Sequence, residues 1–229
     1  PQGSFSEKGK TIDPQAEDLA SLLQIGALCN NADIEQSNGV WRIVGDPTEG
    51  AIIVAAKKAG MLEKLRKSSS KVVEFPFDSD RRRMTVVDDI HGQGRVASMK
   101  GAPEAVLSCC SRIADGGAVR RITEEDRKAM LEKADHMASR ALRVLGFASR
   151  PMSLDEPLFI SEIESDLIFF GLAGMMDPPR KEVMEAISLS KEAGIRTVMI
   201  TGDHRLTARA IGAELEIGDG EVLEGADLE

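Results

Sequence analysis

The chain has 229 residues, 42% of them apolar, which is enough to bury the core of one full domain and part of a second. Its formal charge is -9, and nucleic acid is therefore not expected as its main partner, because nucleic-acid binding requires a basic face. The longest strongly apolar run, 167–176, has about half of the roughly 20 residues that cross a bilayer, so no membrane span is predicted.

The first part of the chain mixes helical and strand patterns. Apolar residues at helical spacing follow a polar lead-in, and Asp46 is a suitable N-cap for a helix with Pro47 in its first turn. Short polar loops join three of the strand-like runs, which predicts an antiparallel meander within an α+β domain. Helices are predicted over 16–29, 46–59, 102–110 and 123–141, and strands over 40–44, 71–75, 84–89, 95–100 and 142–148.

The pattern changes after a polar, proline-bearing connector at 151–166. The elements beyond it alternate strand, helix, strand, helix, which is typical of a parallel sheet with helices on its faces. They are predicted over 167–175, 180–193, 195–200 and 205–215. A domain boundary is therefore expected near residue 166, separating 1–166 from a partial α/β segment, 167–229.

A nucleotide site needs an aromatic face for the base and cations for the phosphates. Phe77 stands beside the arginine run 81–83, in a chain with no tyrosine and one tryptophan. Lys100 ends a predicted strand directly before Gly101, where its ammonium can reach a base or a phosphate. On residue chemistry alone, a solvated charged turn and an ordinary surface lysine remain open alternatives.

Glu49 has two possible roles. It stands at the third helical position after Asp46, where an acid completes a capping box, and it can also accept a hydrogen bond from a ligand. Thr201, Gly202 and Asp203 follow a predicted strand, and ligands in open α/β sheets bind at such carboxyl ends. These three are candidates for phosphoryl contacts, with an ordinary strand–turn–helix connection as the alternative.

Three short motifs occur in a fixed order: Lys-Gly-Ala-Pro-Glu at 100–104, Asp-Pro-Pro-Arg at 177–180 and Thr-Gly-Asp at 201–203. Together they resemble the cytoplasmic part of the P-type cation-transporting ATPases, most closely the calcium-type pumps. The resemblance implies that 1–166 is a nucleotide-binding domain, an antiparallel sheet flanked by helices. It also implies that 167–229 is part of a haloacid-dehalogenase-like phosphorylation domain.

The same resemblance implies a role for each matching residue. Phe77 stacks on adenine, Glu49 accepts from the adenine amino group, and Leu145 packs on the base. Further implied nucleotide contacts are Arg82, Lys100, Gly101 and Arg143, while Asp177 lies near the hinge between domains. Ser79 stands where many calcium pumps carry an arginine.

The family's phosphate-accepting Asp-Lys-Thr-Gly-Thr motif is absent from the chain. The run Gly-Asp-Gly at 218–220 continues Glu-Val, unlike the family's magnesium motif, and is interpreted as a turn. The chain is therefore expected to bind ATP without catalytic activity, and most ligands of the accompanying Mg²⁺ are expected outside it. No metal site is predicted within the chain, because its three cysteines lack paired spacing and fit buried or half-buried thiols in a reducing compartment.

The resemblance further implies a parent pump whose actuator and transmembrane domains are the partners of this chain. The chain itself is expected to be soluble, at the cytoplasmic face of a membrane. Two other classes stay open: the cap and partial core of a soluble haloacid-dehalogenase-like phosphatase, and a non-enzymatic nucleotide-binding module. Residues 167–215 are expected to be less stable than 1–166, or to be stabilised by self-association, because the missing nucleophile strand leaves strand edges exposed.

Overall fold

A computed structural model describes residues 3–176, 181–202, 205–217 and 222–223. The helices are α1 (Glu17–Leu28), α2 (Pro47–Lys58), α3 (Leu62–Ser68), α4 (Pro103–Leu107), α5 (Glu124–Ala138), α6 (Ile160–Ile163), α7 (Lys181–Glu192) and α8 (Arg205–Glu214). The strands are β1 (Ser6–Glu7), β2 (Lys10–Thr11), β3 (Asp33–Ser37), β4 (Val40–Val44), β5 (Ser69–Asp78), β6 (Arg83–Ile90), β7 (Gly94–Gly101), β8 (Cys110–Asp115), β9 (Ala118–Arg121), β10 (Leu142–Met152) and β11 (Leu167–Met176). Among these residues, no helix is long and apolar enough to cross a membrane.

Seven strands form one sheet in the order β5-β6-β7-β10-β11-β8-β9. The predicted meander β5-β6-β7 is confirmed as antiparallel, and β10 pairs antiparallel with β7. Strand β11 pairs parallel with β8, and β1-β2 and β3-β4 form two separate hairpins. The fold is thus α+β with a mostly antiparallel sheet flanked by helices, as the sequence predicted.

The middle of the sheet is covered on both faces. On one face, Met99, Val106 and Phe169 belong to a buried apolar cluster. On the other face, α1 packs so closely that a Cβ at Gly26 would lie 2.6 Å from a methyl carbon of Ile52 and 3.2 Å from the Phe147 ring. Covering on both faces explains why β6 and β7 are buried without alternation, over 84–88 in β6 and over 97–101 in β7.

The start of α2 follows the sequence prediction. The Asp46 carboxylate accepts hydrogen bonds from the amides of Thr48 and Glu49, at 2.8 and 3.1 Å. Pro47 occupies the first turn, where its missing N–H group costs nothing. This cap fixes where Glu49 leaves the helix and so positions one of the candidate ligand-binding side chains.

The chain divides into two compact units, which are described separately. The first contains residues 3–130 together with Leu145–Ala173, and the second contains Leu131–Val144 and the residues from Gly174 onward. The boundary expected near residue 166 stays a prediction. In the structure, Leu167 and Phe169 are fully buried in the first unit, although they lie one and three residues beyond that boundary.

The second unit departs from the predicted strand–helix alternation. Helices α7 and α8 form as expected, but residues 195–200 carry no strand, so that prediction is wrong. A parallel strand needs a neighbouring strand to satisfy its backbone groups, and residues 195–200 pair with none of the described strands. Ile195, Val198 and Ile200 are correspondingly exposed, with Ile200 at 95%.

Asp88 is a buried carboxyl in the middle of β6. Its residue is 4% exposed, and its Oδ2 has no hydrogen-bond partner within the described part of the chain. Burial raises the pKa of Asp88 to about 6, with nearby Lys71 opposing this rise and neighbouring Asp89 adding to it. The ionised form is therefore disfavoured in the folded protein relative to the unfolded chain.

We predict that Asp88→Asn removes a pH dependence of stability. Because the folded pKa lies above the unfolded value of 3.8, the free energy of unfolding of the wild-type protein should fall as pH rises from about 4 through about 6. Urea unfolding from about pH 4 to about pH 7 should show this contribution in the wild type and lack it in Asp88→Asn.

The neighbouring Asp89 supplies a control of opposite sign. Hydrogen bonds from Arg95 lower the pKa of Asp89, so this carboxylate stabilises the protein above its unfolded pKa and loses that effect in acid. Asp89→Asn should therefore leave the fall between about pH 4 and about pH 6 in place. Identical pH profiles for wild type and Asp88→Asn would contradict the assignment.

Candidate nucleotide site

The central feature of the site is a buried lysine. Lys100 stands near the end of β7, paired with Met84 on β6 and Phe147 on β10, and its side chain is 7% exposed. Its Nζ donates to Glu49 Oε1 at 2.5 Å. A buried ammonium requires such a partner, because an uncompensated charge at this depth is strongly destabilising.

Glu49 approaches from the first turn of α2. Its second oxygen, Oε2, accepts a hydrogen bond from the backbone amide of Asn31 at 3.0 Å. The capping function is carried by Asp46, which leaves both Glu49 oxygens turned toward Asn31 and Lys100. Of the two roles that the sequence left open for Glu49, the capping role is thus taken by Asp46, and the ligand-binding role stays a prediction.

Cys29 lies close to this pair in the interior of the first unit. It is fully buried and its Sγ donates to the Met84 carbonyl at 3.4 Å. Burial raises the pKa of the thiol to about 12, although the charge of Lys100 opposes the rise. Cys110 is buried and Cys109 half-buried, so all three cysteines fit the interpretation as structural thiols, and all are free.

Phe77 stands at the same level of the sheet, two strands away. Phe75 pairs with Thr85 and Asp78 pairs with Arg83, so an irregularity sets residues 76–77 against Met84 alone. Met84 in turn pairs with Lys100. Two strand spacings put the Phe77 backbone roughly 10 Å from that of Lys100. The Phe77 residue is 63% exposed, which leaves its ring available to a ligand.

Arg82 and Gly101 meet at the turn between β5 and β6. Arg82 has a φ of 51°, and its carbonyl accepts a hydrogen bond from the Ala102 amide at 2.9 Å. A Cβ at Gly101 would lie 2.5 Å from that carbonyl oxygen, so only glycine fits beneath the turn. Gly101 thus permits the backbone of Arg82 to approach the end of β7 closely. The exposed Arg82 guanidinium donates to Glu104 at 2.6 Å.

The two neighbouring arginines point to a different partner. Glu164, with its side chain 3% exposed, accepts from Arg81 at 2.6 Å, from Arg83 at 2.8 Å and from Thr85 at 2.8 Å. This carboxylate is 79 or more residues away in sequence, and no local pattern signals it. Arg81 and Arg83 therefore stabilise the fold through Glu164. They do not take the place of the arginine that many calcium pumps carry at the position of Ser79.

Leu145 lies at the start of β10 and is half-buried. It precedes Phe147, the partner of Lys100, by two residues and therefore shares its face of the sheet. The carboxyl ends of β5 and β7 and the amino ends of β6 and β10 all lie at one end of the antiparallel sheet. That end carries five sequence-predicted residues in the first unit together with Glu49 of α2: Phe77, Arg82, Lys100, Gly101 and Leu145.

The remaining predicted residues lie in the second unit or outside the described residues. Arg143, Thr201 and Gly202 are exposed and belong to the second unit. Asp177, Asp203 and the Gly-Asp-Gly run at 218–220 lie outside the described residues. The catalytic assignments therefore stay predictions.

The family comparison fits this geometry. Residues 18–182 match the family described as P-type ATPase, cytoplasmic domain N, and thus cover more than half of the chain. The chain belongs to the P-type ATPase family. This membership favours the pump interpretation over a soluble phosphatase.

Curated relatives match most or all of the chain. It is 42% identical to a calcium-transporting ATPase of Bacillus subtilis and 38% identical to the cation-transporting ATPase pma1 of Synechocystis, with the whole chain covered in both cases. A sodium/potassium exporting P-type ATPase of Schizosaccharomyces pombe, cta3, is 38% identical over 91% of the chain. The chain spans 26%, 26% and 20% of these relatives, about a quarter of their length.

We predict that Glu164→Ala strongly destabilises the first unit. The substitution leaves Arg81 and Arg83 without their shared buried carboxylate, a loss that typically costs about 3–5 kcal/mol of unfolding free energy. The control is Glu162→Ala, two residues earlier on the exposed side of α6, which should stay within about 0.5 kcal/mol of wild type. Urea unfolding compares the two, and equal losses would contradict the role given to Glu164.

Proposed function

We propose that this chain is the ATP-capturing part of an ATP-driven cation pump: a nucleotide-binding domain, 1–166, and part of a phosphorylation domain, 167–229. The supporting observation is the Lys100–Glu49 pair at the sheet end that also carries exposed Phe77, inside the segment that matches the P-type ATPase family. The names of the bacterial relatives favour Ca²⁺ as the transported ion.

Adenine would bind at the exposed ring of Phe77. Base stacking on an aromatic ring provides a sequence-tolerant affinity of about 1–3 kcal/mol. Glu49 would accept a hydrogen bond from the exocyclic amine of the base, Leu145 would contribute an apolar contact, and Lys100 would line the pocket. In support of this arrangement, Lys100 and Glu49 already contact each other at 2.5 Å.

The phosphates would be bound by cations at the rim. Arg82 is exposed enough to reach them, and its guanidinium, which donates to Glu104 through Nη1 at 2.6 Å, has further N–H donors for a phosphate. Arg143 would supply a second cation. Gly101 supports the arrangement indirectly, since it lets the Arg82 turn lie against the end of β7.

The phosphorylation step belongs to the second unit and to parts outside this chain. Thr201, Gly202 and Asp203 would contact the transferred phosphoryl group, and Asp177 would lie near the hinge. The nucleophilic aspartate motif is not in the sequence, and Mg²⁺ ligands would come mostly from elsewhere in the parent protein. The actuator and transmembrane domains would be the partners, with this chain at the cytoplasmic face.

We predict weak ATP binding that depends on Phe77. The expected free energy is roughly -4 to -5 kcal/mol, a dissociation constant in the high micromolar to millimolar range. Phe77→Ala should lower the affinity about tenfold or more through loss of stacking. The matched control is Phe159→Ala, which removes a phenylalanine of similar exposure, 66% against 63%, from the start of α6. Nuclear magnetic resonance titration with ATP measures both, and unchanged shifts in Phe77→Ala would overturn the site.

A second prediction concerns chemistry. The 229-residue chain, incubated with ATP labelled on its γ-phosphate and with Mg²⁺, should acquire no acid-stable protein-bound label, because the nucleophilic aspartate is missing. A longer protein of the same family that contains the motif provides the positive control. Stoichiometric labelling of this chain would mean that another residue is the nucleophile.

A further inference from the structure

We propose that Asn31 is a positioning residue that holds the Glu49 carboxylate in the orientation needed to accept from the exocyclic amine of a base. Asn31 would thereby set a preference for 6-aminopurine nucleotides. This inference rests on the proposed function and extends it to a residue that no sequence motif marks.

Asn31 contacts Glu49 directly. It follows α1, and its backbone amide donates to Glu49 Oε2 at 3.0 Å while Lys100 holds Oε1 at 2.5 Å. Each carboxylate oxygen has two acceptor positions, so a carboxylate fixed at both oxygens still accepts from a ligand. Its direction of acceptance is then set by Asn31 and Lys100.

The Asn31 side chain is itself held on both sides. Its Nδ2 donates to Glu74 Oε1 at 2.6 Å, and its Oδ1 accepts from Lys71 Nζ at 3.1 Å. Lys71 and Glu74 form an ion pair at 2.6 Å. Asn31, Lys71 and Glu74 thus make a closed ring of polar contacts, called the Asn31 ring below. Partial burial favours a higher pKa for Glu74, but the hydrogen bonds from Lys71 and Asn31 outweigh it and the pKa is lowered. The ring therefore keeps its charges and anchors the loop to β5.

The preceding residue fixes the backbone of Glu49. Asn30 Nδ2 donates to the Glu49 carbonyl at 3.1 Å and to the Gly26 carbonyl at 3.2 Å. The loop after α1 thus holds Glu49 twice, through its carbonyl and through its carboxylate. A side chain held in this way is an acceptor of fixed direction, which is the property that discriminates between ligand donors.

The discrimination should fall on the substituent at position 6 of the purine. Adenine presents an amino donor there, and hypoxanthine presents a carbonyl oxygen that faces the carboxylate as a second acceptor. An unmatched polar pair costs more than a missing contact, so ATP should bind about tenfold more tightly than inosine triphosphate. The two nucleotides have the same ribose and phosphates, so other contacts cancel in the ratio.

The test compares dissociation constants of ATP and inosine triphosphate for the 229-residue chain by calorimetry or magnetic resonance titration. Asn31→Ala keeps the backbone amide but removes the side-chain contacts with Glu74 and Lys71 that hold this amide in place. It should weaken ATP binding about five- to tenfold and leave the binding of inosine triphosphate unchanged, so that the ratio falls below about threefold. Glu49→Gln should remove the preference as well. Glu74→Gln keeps an acceptor for Asn31 but loses the charge that pairs with Lys71, and should give an intermediate ratio.

The matched control is Asp33→Asn, two residues along the chain. It breaks a comparable exposed ion pair, Arg66–Asp33 at 2.6 Å, and leaves the contacts of Glu49 intact. Its ratio should equal that of the wild type. Equal weakening of both nucleotides by Asn31→Ala, or no weakening, overturns the positioning role even if Phe77→Ala abolishes ATP binding. If wild type binds neither nucleotide, the proposed function itself is wrong and this inference falls with it.

Discussion

The buried ion pair between Lys100 and Glu49 is the interaction on which the candidate site depends. It joins the end of a central strand to the start of α2, and both side chains are largely withdrawn from water, at 7% and 17% exposure. Removing one partner of such a pair leaves the other as an uncompensated buried charge. The fold therefore keeps both groups together at the sheet end where Phe77 and Arg82 are exposed.

Around this pair, the backbone decides which side chains reach the surface. The irregularity in β5 places an extra residue opposite Met84, and Phe77 therefore lies at the end of the strand. The Arg82 turn rests on Gly101, and this leaves its guanidinium outside while those of Arg81 and Arg83 turn toward Glu164. Three consecutive arginines thus have two different environments, which a charge count alone does not distinguish.

Local signals were sufficient for much of the first unit. The cap at Asp46, the antiparallel meander and the strand-end position of Lys100 depend on neighbours a few residues away, and each was predictable from sequence. The Glu164 partnership, the Asn31 ring and the parallel pairing of β8 with β11 depend on residues far apart in the chain. Nothing in a single sequence marks such contacts. The strand predicted at 195–200 failed for a related reason, since apolar periodicity indicates a tendency to form a strand and supplies no neighbour to pair with.

The Arg82–Glu104 contact has a consequence for which anions can occupy the site. The guanidinium already has a carboxylate partner, and Lys100 has another, so the charges of both cations are compensated within the protein. A small anion such as free phosphate therefore meets a guanidinium whose charge Glu104 already compensates, and gains little from it. A nucleotide adds base stacking to the same contact and gains affinity that free phosphate lacks. Internal carboxylates would in this way act as a filter against the abundant inorganic phosphate of a cell.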